Sequence, residues 1–171
     1  MKKRVLALLG LALSTPSWGL DTRYFNEQFR FAANIPDGLR TCPHVPPAPN
    51  PGFIAPLSSQ GCASPFEGSF LTVVGEYNTS SFRRTQDAAI DSCAGSPARP
   101  SNTHPTIRFY ICEQRIAADK ILIRYIALRL TPEPDWPLHG YIYTISLQCR
   151  PADCDRYGPL LRQTVASMRF R

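Results

Sequence analysis

The sequence predicts an α+β fold: an antiparallel sheet of four to five strands with two helices, in a single disulfide-stapled domain. Three observations carry this expectation. Several segments alternate apolar and polar residues with a period of two, two others repeat apolar residues at helical spacing, and the cysteines number six.

Arg23 to Ala33 alternates loosely through Tyr24, Phe29 and Phe31 and reads as a short strand, stopped by the turn signature Ile35-Pro36-Asp37-Gly38. Between Cys42 and Cys62 the chain is crowded with Pro43, Pro46, Pro47, Pro49, Pro51 and Pro56. Proline fixes φ and removes a backbone donor, so this stretch is neither a helix nor a central strand. It predicts an extended, stiff loop closed by a disulfide. Phe70 to Tyr77, rich in β-formers, predicts a strand. Ser80 or Ser81 then caps a helix to about Cys93, with Phe82, Ala89, Ile90 and Cys93 on one face.

Three more strands follow. Ile107, Phe109 and Ile111 alternate with Arg108, Tyr110 and Cys112. Lys120 to Leu130 is apolar on both faces, as a central strand should be. Tyr141, Tyr143, Ile145, Leu147 and Cys149 form one clean face of the next strand, paired to its predecessor as a hairpin with its tip at Thr131 to Gly140. A last helix places Pro159 near its first position and Leu160, Leu161, Val165 and Met168 on one stripe. On a regular strand Cys112 points away from Ile107, Phe109 and Ile111. A bond from Cys112 to Cys93 therefore needs a bulge, or a helix on the opposite face.

The N-terminus reads as a secretory signal. Lys2, Lys3 and Arg4 precede the apolar run Val5 to Leu13, and small residues allow a cut after Gly19. Nine apolar residues are too few to span a bilayer, which takes about 20. Residues 1–19 are thus expected to be removed, leaving 20–171 as one periplasmic domain with no membrane insertion. No cysteine follows the apolar run to take a lipid. Cleavage removes three of 19 basic residues and none of the 13 acidic ones, so the charge falls from +6 to 16 − 13 = +3. The arginines are scattered, without the dense basic stripe of a nucleic-acid binder.

After export, Cys42, Cys62, Cys93, Cys112, Cys149 and Cys154 are expected to form three disulfides. Many connectivities are possible; the simplest is sequential. Zinc would want a C-x-x-C pair or closely spaced histidines, and neither occurs. No cofactor is expected. His44, His104 and His139 lie in three different loops, no G-x-S-x-G elbow exists, and the carboxylate pair Glu133 and Asp135, two apart in a proline-rich tip, has no apolar wall to raise one acid for acid–base work. The chain therefore reads as a non-enzyme. Asn78-Thr79-Ser80 matches a glycosylation pattern, but the short Lys-Lys-Arg leader looks bacterial, so it reads as a helix cap.

Two segments offer stiff surfaces to a protein partner. The disulfide-closed loop carries His44, Val45, Phe53, Ile54 and Leu57. The hairpin tip carries Glu133, Asp135, Trp136 and His139 among three prolines, and Trp136 is the single tryptophan after cleavage. Rigid loops lose little entropy on docking, and tryptophan is a favoured anchor.

The leader without a lipid-bearing cysteine, the one-domain length, the six cysteines and the run Phe29-Arg-Phe31, Ile35-Pro-Asp-Gly38, Cys42-Pro43, Pro51-Gly-Phe-Ile-Ala-Pro56 and Cys62 together resemble a known group. It is the periplasmic immunity proteins that neutralise type VI secretion effectors, including those against metallopeptidase toxins carried on VgrG spikes. The resemblance extends over most of the chain. It implies that a loop covers or enters the active-site cleft of a secreted toxin. If that toxin is a zinc peptidase, it implies that His44, Glu133, Asp135 or His139 approaches the metal. An accessory binding module of the cell envelope and a small periplasmic hydrolase are the alternatives.

Overall fold

The computed structural model describes residues 23–59 and 61–171, so the predicted leader lies outside the described residues. In chain order the elements are β1 (Arg23–Asn26), β2 (Phe31–Asn34), β3 (Gly52–Pro56), β4 (Phe70–Tyr77), α1 (Thr85–Ser92), β5 (Arg99–Ser101), β6 (Phe109–Ala117), β7 (Lys120–Leu130), β8 (Gly140–Cys149), α2 (Pro151–Ser167) and β9 (Arg169–Phe170). A six-stranded sheet runs β3-β4-β8-β7-β6-β5, and a three-stranded sheet runs β1-β2-β9, every pairing antiparallel. The α+β class and the two helices are as predicted; the strands are more numerous.

The extra strands sit where sequence periodicity is weakest. β3 and β5 contain Pro56 and Pro100 and form the two edges of the large sheet. An edge is where a strand tolerates a missing donor, and proline there also discourages pairing with a foreign strand. The predicted first strand is instead the β1–β2 hairpin, broken by a turn at which Arg30 takes φ 51°. β9 spans two residues, too few to show alternation.

The large sheet is covered on both faces. On one, Tyr143, Ile145 and Leu147 of β8 pack with Phe53, Val73, Tyr125, Phe109, Phe31 of β2, and Leu161, Val165 and Met168 of α2. The Tyr143 hydroxyl donates to the Phe29 carbonyl at 2.8 Å, and burial pushes its phenol well above the ordinary tyrosine range. On the other face Ile126 and Ile142 meet Ala88, Ala89 and Cys93 of the α1 segment. Cys112 faces this second cluster, so α1 lies on the side that the Cys93–Cys112 bond required. The register irregularity in β6, between Arg115 and Ala117, comes after Cys112 and is not needed for the bond.

Both helix starts differ from expectation. Ser81 has φ 56° and does not cap α1; Arg84 holds the cap position without a side-chain bond. Asn78, almost completely buried, shapes the approach instead. Its Oδ1 accepts the Phe82 N–H at 2.9 Å, and its Nδ2 donates to the carbonyls of Phe82 at 2.9 Å and Leu138 at 3.0 Å. Both amide hydrogens of the glycosylation-pattern asparagine are thereby engaged in folding. At the far end Arg124 donates to the Ser92 carbonyl, placing a cation where the helix dipole is negative. α2 starts at Pro151 rather than near Pro159, which lies within the helix. Proline at a first helical position gives up only a donor with no intrahelical partner, the logic correctly applied to the wrong proline.

The disulfides are Cys42–Cys62, Cys93–Cys112 and Cys149–Cys154, the sequential pairing. They tie the proline-rich loop across its base, α1 to β6, and the end of β8 to the first turns of α2. The loops they close differ, with separations of 20, 19 and 5 residues. Loop-closure entropy assigns about 3 kcal/mol to each long bridge and about 2 kcal/mol to the short one. We expect Cys93→Ala/Cys112→Ala to lose more stability in urea unfolding than Cys149→Ala/Cys154→Ala. Equal losses would show that native-state packing around the bridges, rather than chain entropy, sets their contribution.

Candidate functional site

The β7–β8 ladder ends on the pair Leu130–Gly140, and the tip rises from it. A Cβ at Gly140 would stand 2.3 Å from the Arg129 carbonyl oxygen, so only glycine lets the two strands meet there. Above this pair the Thr131 N–H donates to the His139 carbonyl at 2.8 Å. Glu133 and Trp136 exchange backbone bonds of 3.2 and 3.0 Å around Pro134 and Asp135, and the His139 N–H donates to the Trp136 carbonyl at 2.9 Å. Proline at the second position of such a four-residue turn supplies the φ the turn requires. The tip is thus a braced turn and not a slack loop.

Its side chains extend the brace. His139 Nδ1 lies 3.1 Å from Glu133 Oε1 and 3.2 Å from both the hydroxyl and the carbonyl oxygen of Thr131. The Trp136 ring rests on the His139 ring at 4.8 Å between centroids. His139 in turn meets Tyr141 at 5.5 Å and Tyr77 at 6.4 Å, and Phe29 closes the row against Tyr77 at 5.2 Å. Trp136 remains 42% exposed and Tyr77 41% exposed. Such aromatic pairs contribute about 0.5–1.5 kcal/mol beyond burial, enough to hold the indole in place while one face stays open. Glu133, Asp135, Trp136 and His139 are therefore brought together as expected. Tyr77 and Phe29 join them from β4 and the β1–β2 turn.

The proline-rich segment divides. Phe53 and Ile54 are 1% and 0% exposed and belong to β3, so they are core residues and not contact residues, contrary to expectation. The edge strand draws them inward, with Phe53 set against Tyr24 at 5.0 Å. Leu57 is half-buried and packs against the main core; its carbonyl accepts the Tyr157 hydroxyl at 3.1 Å. His44 is exposed and Val45 half-buried. The loop before β3 is fastened to the first hairpin: the Tyr24 hydroxyl donates to the Pro49 carbonyl at 2.8 Å, and Asn50 bonds Asn26 at 2.7 Å and also Gln28. Gly52 pairs with Val74 and the Gly75 N–H reaches the Pro51 carbonyl, while Tyr77 pairs with Tyr141. This register puts the loop's departure at the end of the sheet from which the tip projects.

The histidines do not converge on one another. His104 is buried; its Nδ1 accepts the N–H groups of Thr106 at 3.1 Å and Ile107 at 2.9 Å. Backbone N–H groups can only donate, so Nδ1 carries no proton and Nε2 donates to the Met168 carbonyl, 2.9 Å away. Both ring nitrogens are committed to joining the loop after β5 to the end of α2. Among the described residues no group of three or more His, Cys, Asp or Glu is placed to hold a metal ion.

No protein-family model matches the chain, and no curated protein matches it in sequence. Its fold is similar to that of cyanobacterial PsbP (CyanoP) from Synechocystis sp. PCC 6803, with a TM-score of 0.54 and 12% identity, covering 95% of this chain and 100% of that one. A second similar structure is LpqN, involved in cell envelope biogenesis of Mycobacterium tuberculosis, with a TM-score of 0.49 and 8% identity over 81% of each chain. The likeness is one of fold alone.

His104→Ala would leave the N–H groups of Thr106 and Ile107 without their acceptor, while the Met168 carbonyl keeps the Arg169 guanidinium at 2.7 Å. Each unsatisfied buried group costs about 1–3 kcal/mol, so we expect a loss of about 3 kcal/mol in urea unfolding after some relaxation. An enzyme using His104 in catalysis would instead lose turnover at unchanged stability.

Proposed function

We propose that the chain is an accessory binding module of the cell envelope that engages a protein partner through the β7–β8 tip, without chemistry of its own. The observation that carries this reading is Trp136: a large aromatic ring, 42% exposed, seated on His139 at the crest of a braced turn. An anchor of this kind loses little entropy on docking because its backbone and its ring are already placed. Tyr77 widens the apolar patch, and Glu133 and Asp135 put carboxylates at its rim, where charge directs encounter more than it adds affinity. Three disulfides fit a protein that works in an oxidising compartment.

A second reading, the periplasmic immunity protein, is favoured by one feature. Within the stretch that carries the resemblance, the loop leading into β3 is fastened at Pro49 and Asn50 to the first hairpin and closed by Cys42–Cys62, with His44 exposed on it. In this reading the partner is a secreted toxin, and the loop and the tip together cover its cleft. Co-expression with a periplasm-directed toxin separates the two. Protection of the cell selects the immunity reading, and a stable complex with an envelope protein without protection selects the accessory module.

Both readings require Trp136. Photo-crosslinking from position 135 in intact cells should trap the partner, and Trp136→Ala should weaken the purified complex by about 2 kcal/mol or more. Trp136 is the single tryptophan beyond Trp18, so its fluorescence should report complex formation directly. Unchanged affinity of Trp136→Ala would remove the tip from the interface.

A further inference from the structure

On the face of the sheet opposite the main core, the start of α1 and strands β6 and β7 enclose an open cleft of about 340 Å³. Arg83, Arg84 and Arg108 line it, and no carboxylate does. Arg84 is already engaged, with Nε and Nη2 donating to the two oxygens of Asp87 at 2.9 and 2.7 Å. Arg83 and Arg108 have no acidic partner among the described residues. Thr85 and Tyr110 also line the cleft, Tyr110 interacting electrostatically with Arg84, while Leu128 gives it an apolar wall.

From this arrangement we infer that the cleft binds a phosphate monoester, with Arg83 and Arg108 holding the phosphate and the wall at Leu128 receiving the group it carries. Two uncompensated guanidinium groups match a dianionic phosphate in charge. Each planar fork can donate two parallel bonds to its oxygens, which a lysine cannot do. Thr85 and Tyr110 supply neutral donors for the remaining oxygens. A carboxylate ligand would neutralise only one of the two free cations. The cleft lies on the α1 side of the sheet and Tyr77 and Tyr141 on the other, so this site is separate from the aromatic tip.

A phosphate monoester can be soluble or can be the headgroup of a lipid, and one set of titrations distinguishes them. The probes are inorganic phosphate and glycerol 3-phosphate, followed by NMR of the backbone amides, and phosphatidylcholine vesicles with and without phosphatidic acid, followed by flotation. Shifts at Thr85, Gln86 and Tyr110 with the soluble probes identify a soluble ligand; flotation that needs phosphatidic acid identifies the lipid. In either case Arg83→Gln/Arg108→Gln should weaken binding about tenfold or more. The control Arg23→Gln/Arg162→Gln, with the same loss of charge on exposed arginines outside the cleft, should change it little. Absence of binding to every probe, or an equal effect of the two double variants, would overturn the assignment. The amide spectrum itself reports whether each variant is folded.

Discussion

The pairing of β7 with β8 is the constraint on which the rest of the molecule depends. Its unbroken register from Ile121–Cys149 to Leu130–Gly140 places two strands at the middle of the sheet, and side-chain alternation then assigns every neighbour a face. Tyr125, Tyr143, Ile145 and Leu147 go to the core beneath α2 and β2; Ile126 and Ile142 go to the cluster beneath α1. A slip of one residue would exchange these sets and break both cores together. The same ladder aims the tip, because Gly140 ends the pairing at a fixed height and leaves nine residues to turn back.

Around this centre the periphery is fastened by covalent bonds and by hydrogen bonds, and little by burial alone. α1 has eight residues and buries few large side chains, so packing gives it modest stability and the Cys93–Cys112 bond supplies the rest. The proline-rich loop buries almost nothing between Pro43 and Asn50. It is held by Cys42–Cys62, by Tyr24 and Asn26 of β1, and by the Cys42 N–H bonding to the Ile54 carbonyl at 3.0 Å. The proline-bearing edges, β3 and β5, leave the large sheet poorly suited to growing by strand addition.

What the sequence made legible follows the strength of its patterns. β4, β7 and β8 were readable because long alternating runs report on one buried face or two, and the need for a helix opposite Cys112 followed from the same alternation. The elements that escaped were those in which a local rule was overridden by tertiary contacts. Ser81 carries a good capping side chain, yet Asn78 bends the chain so that α1 starts later, through a bond to Leu138 sixty residues away. Phe53 and Ile54 looked like loop residues because prolines surround them; pairing with β4 turned them into core. At the tip, Glu133, Asp135, Trp136 and His139 could be found because they are neighbours in sequence. Tyr77 and Phe29 could not, since only the register of β4 with β8 and the turn between β1 and β2 carry them there.

The geometry of the tip also argues about what kind of function it can serve. Acid–base catalysis requires groups whose protonation is set by exclusion of water, with donors aimed at developing charge. At the tip Glu133 and Asp135 face solvent, and the half-buried His139 spends its Nδ1 on Thr131 and Glu133 and its ring on Trp136 and Tyr77. Those contacts hold the imidazole in place beneath the indole. A support is what an exposed indole needs if it is to fill a partner's pocket without first being ordered, since ordering would subtract from the binding free energy. The row from Phe29 through Tyr77 and His139 to Trp136 conveys the rigidity of the core to a point outside it. Trp136 at the end of that row and Tyr77 within it keep comparable exposure, 42% and 41%.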